Sequence, residues 1–176
     1  MQTVEVGVRH AGGVVPDKST IGLAGEYYVL AQLAHRGLVG TLTLGNTKGV
    51  DIIVSDPDVS HLRKVEVKTS RSSLVNETLF PGGPFYKWQM SAKHESMDDP
   101  LLFFCFVLLG DYAKLPRFFI VPSAVVAQYV SWQHQFWLSA HQPGSVKDTP
   151  RRIFRIPHND PDHYEGAWDS LRGPGV

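Results

Sequence analysis

The chain has 176 residues, 43% of them hydrophobic and 19% charged, a balance that fits a globular protein with a core of its own. Seventeen Lys and Arg offset seventeen Asp and Glu, which argues against a protein that coats nucleic acid without specificity, because such affinity comes from neutralising phosphates. The longest apolar run, residues 101–109, is too short to span a bilayer, residues 1–10 lack the basic and apolar regions of a signal peptide, and the single cysteine, Cys105, admits no internal disulfide, so the expected setting is the cytoplasm.

Residues 3–8 alternate polar and apolar as a short strand does, and Ala11-Gly12-Gly13 breaks the pattern. A helix is predicted from a cap at Ser19 or Thr20 to a stop at Gly37. Its apolar residues fall on nearly every side, which predicts packing on nearly every side. Three strands follow, over residues 38–44, 51–55 and 62–69. Gly45-Asn46 closes the first, Lys48-Gly49-Val50 precedes the second, and Asp56-Pro57-Asp58 turns into the third, so a meander is expected. Residues 70–99, interrupted by Pro81-Gly82-Gly83-Pro84, read as a long loop with a short helix around 88–94. The apolar run 101–109 suits a strand in the sheet interior, with Cys105 as a small buried hydrophobe. Gly110 and Asp111 open a loop, residues 118–121 form another strand, and Ser123 caps a helix reaching about Leu138. A short strand over 153–156 and a helical segment over 162–171 complete the chain. This order predicts an α/β sandwich with a central mixed β-sheet flanked by helices. It reads as one domain over 1–176, with the motif-bearing core at about 20–139 and a C-terminal extension at 140–176.

Chemistry concentrates on the second and third strands. Side chains alternate faces along a strand. Val65 and Val67 therefore point one way, and Lys64, Glu66 and Lys68 the other. In the second strand Ile52 and Val54 share a face. If the two apolar faces coincide, Asp51 and Glu66 project from the same side, with register deciding whether they meet. Two carboxylates beside a lysine suit phosphodiester hydrolysis. Their hard oxygens, with the Val67 carbonyl, can hold Mg²⁺ or Mn²⁺, and an ammonium can stabilise charge at phosphorus or hold the attacking water. The alternative for Glu66 and Lys68 is a solvated strand face. Glu26 falls among Gly22, Leu23, Val29, Leu30 and Leu33 on its helix. A carboxylate in an apolar stripe needs a cation, a metal or donors, so it is either a functional group or half of a buried ion pair.

Gly25-Glu26 on the helix, Gly49-Val50-Asp51 at a strand start and Glu66-Val67-Lys68-Thr69 on the next strand together resemble the PD-(D/E)xK nuclease superfamily, the restriction endonuclease-like group that includes Holliday junction resolvases and Mrr-type nucleases. Val50 stands where the superfamily's name has proline. The resemblance covers Gly22 to about Ser70. It implies a restriction endonuclease-like fold and a metal-dependent nuclease, and does not identify the substrate. The lead expectation is a DNA endonuclease, a homodimer because cleavage of a duplex or junction takes two sites, and an RNA nuclease is a further reading, since nothing in the sequence places a contact to the 2′-OH. Asp51 and Glu66 are implied as metal ligands, Lys68 as the catalytic lysine, and Glu26 as a supporting carboxylate. A catalytically silent member of the same fold, serving as a nucleic-acid-binding or protein-interaction module, is the alternative.

Thr69 and Ser70 leave the third strand as hydroxyls suited to phosphate contacts, and otherwise belong to an ordinary loop. Gln89 and Lys93 are candidates for contacting the reacting phosphate, or residues of an exposed amphipathic turn. Among the eight histidines, His158 and His163 lie closest together, but no zinc pattern converges on them. No GxxxxGK loop is present.

Overall fold

The computed structural model describes residues 16–44, 49–71, 73–110 and 112–173. The readings made at residues 3–8 and 11–13, at Gly45-Asn46 and Lys48, and at Asp111 lie outside them.

Helix α1, Lys18–His35, starts at Asp17, whose carboxylate accepts from the Thr20 N–H at 2.8 Å and from the Ser19 hydroxyl at 2.8 Å. The cap is thus Asp17 and not Ser19 or Thr20, because a carboxylate two to three residues earlier reaches both donors. Gly37, at φ +73°, ends the helix as expected. The Leu38 N–H reaches the Leu33 carbonyl and the Gly37 N–H reaches that of Ala34, each at 3.0 Å, the paired bonds of a Schellman stop. Packing on nearly every side does not occur. Gly25, Val29 and Leu33 are buried, while Leu23, Tyr27 and Tyr28 are exposed, because α1 lies on one face of the sheet only, across β1 and β3.

Strands β1 (Val39–Leu42), β2 (Ile52–Ser55) and β3 (Leu62–Ser70) form the expected antiparallel meander. The chain then leaves this sheet. Residues Phe85–Ser91 are strand β4, followed by a 3₁₀ turn, Ala92–Ser96, where the sequence pattern predicts loop and helix. β5 (Leu102–Leu108) returns parallel to β3, and β6 (Arg117–Pro122) pairs antiparallel with β5. The central sheet is therefore mixed, in the order β1-β2-β3-β5-β6. Helix α2, Ser123–Ser139, follows. Ser123 does not cap it by its side chain. Its hydroxyl donates to the Asp99 carbonyl at 2.8 Å and accepts from the Asp99 N–H at 3.0 Å, pinning the loop before β5. β7 (Arg151–Pro157) pairs with all of β4 to make a second, two-stranded sheet. The last helical segment shortens to a 3₁₀ turn, Trp168–Leu171.

The central sheet separates two cores. Alternation sends Val65, Val67, Phe103, Cys105 and Ile120 to the α1 side, where Val29, Leu33, Trp168 and Leu171 meet them. Phe104, Phe106 and Phe119 point to the opposite side, against Trp88 and Met90 of β4, Val126 and Val130 of α2, and Phe154 of β7. Beyond residue 140, Phe154 and Ile156 thus enter one core and Trp168 and Leu171 the other. Buried Cys105 behaves as a small hydrophobe, with burial pushing its thiol well above the ordinary range. No helix among the described residues is long and apolar enough to cross a membrane.

Candidate active site

The register sets the two acidic residues side by side on adjacent strands. Ile52 pairs with Val65, so the apolar faces of β2 and β3 coincide in the α1-side core. Continued one residue, that pairing sets Asp51 opposite Glu66. The Asp51 N–H donates to the Val65 carbonyl at 2.9 Å, and Asp51 Oδ2 accepts from the Val67 N–H at 2.6 Å. The carboxylate thereby extends the ladder just past the end of β2.

Glu66 is only 2% exposed, which overturns the solvated-face reading. Its Oε1 accepts from the Lys68 ammonium at 2.5 Å and from His94 Nε2 at 3.1 Å, with Lys93 Nζ 3.6 Å away. Its Oε2 is buried with no hydrogen-bond partner. Gly49 closes over that oxygen at φ +72°. A Cβ there would stand 3.4 Å from Oε2 and meet the movable Met97 methyl, so it is the positive φ, where any side chain is strained, that favours glycine.

The three carboxyl groups are tuned in opposite directions. Burial works to raise Glu66, but the hydrogen bond from His94 and the charge of Lys68 overcome it and lower the carboxyl to about 2. Asp51 is raised, first by burial and then by the charge of Glu66, against the Val67 N–H, Lys68 and Lys93. Glu26 is also raised, first by burial and then by the charge of Asp51, with Lys68 opposing. Glu26 is thus half-buried within the field of Asp51 and Lys68. Among the described residues no Lys, Arg or His forms an ion pair with it.

His94 is a site residue that the sequence pattern does not single out. It is 3% exposed, and its Nδ1 lies 2.9 Å from both the N–H and the carbonyl of Ser91. Either the neutral ring accepts from that N–H, or the protonated ring donates to that carbonyl. In both states Nε2 carries a proton toward Glu66. The local signal is Ser91 three residues before His94, a reciprocal cap at the start of the 3₁₀ turn. It carries meaning only once β4 is known to end there.

The four candidate phosphate contacts separate. Lys93 is exposed beside Glu66, Gln89 is exposed on β4, and Ser70 ends β3. The Thr69 hydroxyl is sealed instead, buried and unpartnered against α1. A Cβ at Gly25 would lie 1.9 Å from Thr69 Oγ1 and 3.0 Å from its Cβ, so turning the Thr69 side chain does not relieve the contact by itself and α1 must also give on β3. Gly25→Ala should therefore destabilise the protein by roughly 1–3 kcal/mol through overpacking, outweighing the ~1 kcal/mol that alanine gains in a helix. Thermal melting checks this, and an unchanged or raised midpoint would show that α1 shifts freely on β3.

The implied divalent cation would meet an open set of ligands. Among the described residues no cluster of three or more His, Cys, Asp or Glu is gathered closely enough to hold a metal, so Asp51, Glu66 and Glu26 do not form a closed three-ligand cage. Mg²⁺ does not need one, since it commonly keeps several waters and takes one or two carboxylates. The orphaned Glu66 oxygen and the two raised carboxyls are features that a cation relieves. Asp51 and Glu66 are hard-oxygen donors of the kind such a cation takes, so the residues present fit it.

No protein-family model and no curated protein matches the sequence. Among solved structures, the fold is similar to that of a bacterial homing endonuclease, I-Ssp6803I, with a TM-score of 0.52 and 16% sequence identity over 88% of this chain and 90% of that chain. The likeness extends over nearly the whole of both chains, and at this identity it is a likeness of fold.

Proposed function

We propose that the protein is a Mg²⁺- or Mn²⁺-dependent nuclease of the PD-(D/E)xK type, acting on DNA. The observation that carries this reading is a buried carboxylate, Glu66, with one oxygen held by Lys68 and His94 and the other unpartnered, beside Asp51 and Glu26 whose carboxyls are raised. Carboxyls pushed apart in opposite directions within one cluster are the pattern that acid–base and metal sites produce. The fold shared with an endonuclease agrees with it.

Asp51, Glu66, the Val67 carbonyl and, further out, Glu26 would hold the cation. When bound it supplies Lewis acidity toward a phosphate oxygen and a lowered pKa for water beside it. His94 fixes the orientation of Glu66. Lys68, with its side chain 24% exposed, presents its ammonium to the phosphate or to the attacking water and compensates the charge that builds at phosphorus. Lys93 stands at the solvent side of the same oxygen and can meet a non-reacting phosphate oxygen. One such site per chain cuts one strand, so cleavage of both strands takes two copies, which sedimentation at working concentration would show.

Cleavage of linear, single-stranded and branched DNA should require Mg²⁺ or Mn²⁺, and activity that persists in chelator would overturn metal dependence. Lys68→Ala should lower kcat by roughly 10²–10³-fold, the loss typical of one charge-stabilising donor, while Mn²⁺ affinity measured by calorimetry stays within a few-fold. A parallel loss of affinity would make Lys68 part of the cation site.

One observation favours a second reading, a catalytically silent nucleic-acid-binding member of the fold. Lys68 and His94 already satisfy Glu66 Oε1 internally. DNA binding without cleavage in any divalent cation would establish it.

A further inference from the structure

We infer that the cleft at the far end of β3 is a docking site for the nucleic-acid backbone flanking the reacting phosphate, gripped by Lys18, Arg71 and Arg151. This rests on the nuclease reading only for what it docks beside. The cleft, of about 450 Å³, is lined by Lys18 at the start of α1, Ser70 and Arg71 at the end of β3, Lys87 and Gln89 of β4, and Arg151 at the start of β7. Four cations from four segments of the chain converge there, and no carboxylate lines it. The whole chain has formal net charge zero, so this concentration of positive charge is local. Lys87 is committed to Glu77 at 2.8 Å. Among the described residues Lys18, Arg71 and Arg151 have no carboxylate partner, and all three are exposed. Arg71 is stiffened by stacking over the Tyr112 ring at 5.2 Å.

Geometry ties the cleft to the site. Glu66, Lys68 and Ser70 share one face of β3, so the strand runs from the buried carboxylate into the cleft. Four residues at ~3.3 Å each place it about 13 Å away, which corresponds to about four base pairs of duplex at ~3.4 Å rise. Guanidinium and ammonium groups with an amide and a hydroxyl between them are the donors that phosphate oxygens take, and contacts of this kind position a duplex without reading its sequence.

The test measures binding and cleavage apart. The full chain is titrated with a fluorescent DNA duplex in chelator across a salt series. Comparison is made with the Lys18→Ala/Arg71→Ala/Arg151→Ala variant and with a control that removes three cations elsewhere, Arg63→Ala/Lys147→Ala/Arg172→Ala. Each lost phosphate contact lowers the slope of log affinity against log salt by ~0.9. The cleft variant should therefore lose between two and three in slope and bind about tenfold or more weakly at low salt, and the control should change less than half as much. Equal losses in both variants, an unchanged slope in the cleft variant, or affinity for a mononucleotide with none for the duplex would each overturn the proposal. Cleavage in Mg²⁺ is scored separately. If the slope changes as expected and no divalent cation supports cleavage, the nuclease reading fails and the cleft stands. If cleavage occurs and the cleft variant binds as the parent does, the reverse holds.

Discussion

Glu66→Gln should remove cleavage, by on the order of 10³-fold or more, and in the same protein erase most of the Glu66-linked stability that acid takes from the parent. The activity loss follows from replacing a charged hard-oxygen donor by a neutral amide at the cation site. The stability change follows from titration. The folded carboxyl titrates at about 2 against an ordinary value of 4.5. A group lowered in the folded state stabilises fully above its unfolded value, and that contribution is lost as pH falls toward the folded one. The gap corresponds to about 3 kcal/mol for so deeply buried a group. The parent protein should therefore lose stability between pH 4.5 and 2 more steeply than the glutamine variant. Glutamine keeps the shape and can still accept from Lys68 and His94, so the fold survives for the comparison. Melting midpoints measured across that pH range decide the matter, and parallel acid slopes would show that Glu66 is not held in its charged form by these partners.

Asp51→Asn and Glu26→Gln should have the opposite sign, making the metal-free protein more stable at neutral pH. Both carboxyls are raised by burial and by neighbouring negative charge. A group raised in the folded state weakens the fold above its folded value, and the penalty disappears as pH falls through that value. Removing the charge removes the penalty. Both groups are partly exposed and solvent screens them, so the gain is roughly 0.5–1 kcal/mol each. Asparagine can still accept from the Val67 N–H, which keeps the β2–β3 junction. Divalent cation reverses the ranking. At about one hundred times its dissociation constant Mg²⁺ should stabilise the parent by ~2.7 kcal/mol, and the amide variants by much less. Calorimetric scans with chelator and with Mg²⁺ read both arms. A metal-free Asp51→Asn protein less stable than the parent would make Asp51 a structural residue, and absence of Mg²⁺ stabilisation in the parent would remove the cation from the site.

The opposed tuning is the feature of the β2–β3 junction on which the proposed cation site rests. Gathering one buried and two partly buried carboxyls beside Lys68 and Lys93 leaves Asp51 and Glu26 under repulsion that a cation can discharge. His94 keeps the arrangement ordered, since without its Nε2 proton Glu66 would hold only to the two lysines, both more exposed.

Local pattern alone determined much of this. Alternation along residues 62–69 put Glu66 and Lys68 on the face opposite Val65 and Val67, and short turns made residues 38–70 a meander, so the approach of Asp51 to Glu66 was legible in the sequence. The run at residues 101–109 announced an interior strand, because only a strand covered on both faces tolerates continuous apolar residues. Gly37 announced the end of α1 through its freedom at positive φ. Tertiary structure decided the rest. Phe85–Ser91 lacks strict alternation and follows a Pro-Gly-rich break. Its partner β7 begins only at Arg151, paired with Ser91, and nothing local encodes so distant a ladder. That pairing carries His94 under Glu66 and brings Arg151 beside Arg71 and Lys18. The His94–Glu66 hydrogen bond spans twenty-eight residues of chain, and the cleft is assembled from separate segments. Both exist only once the chain is folded, because they are properties of spatial neighbours and not of sequence neighbours.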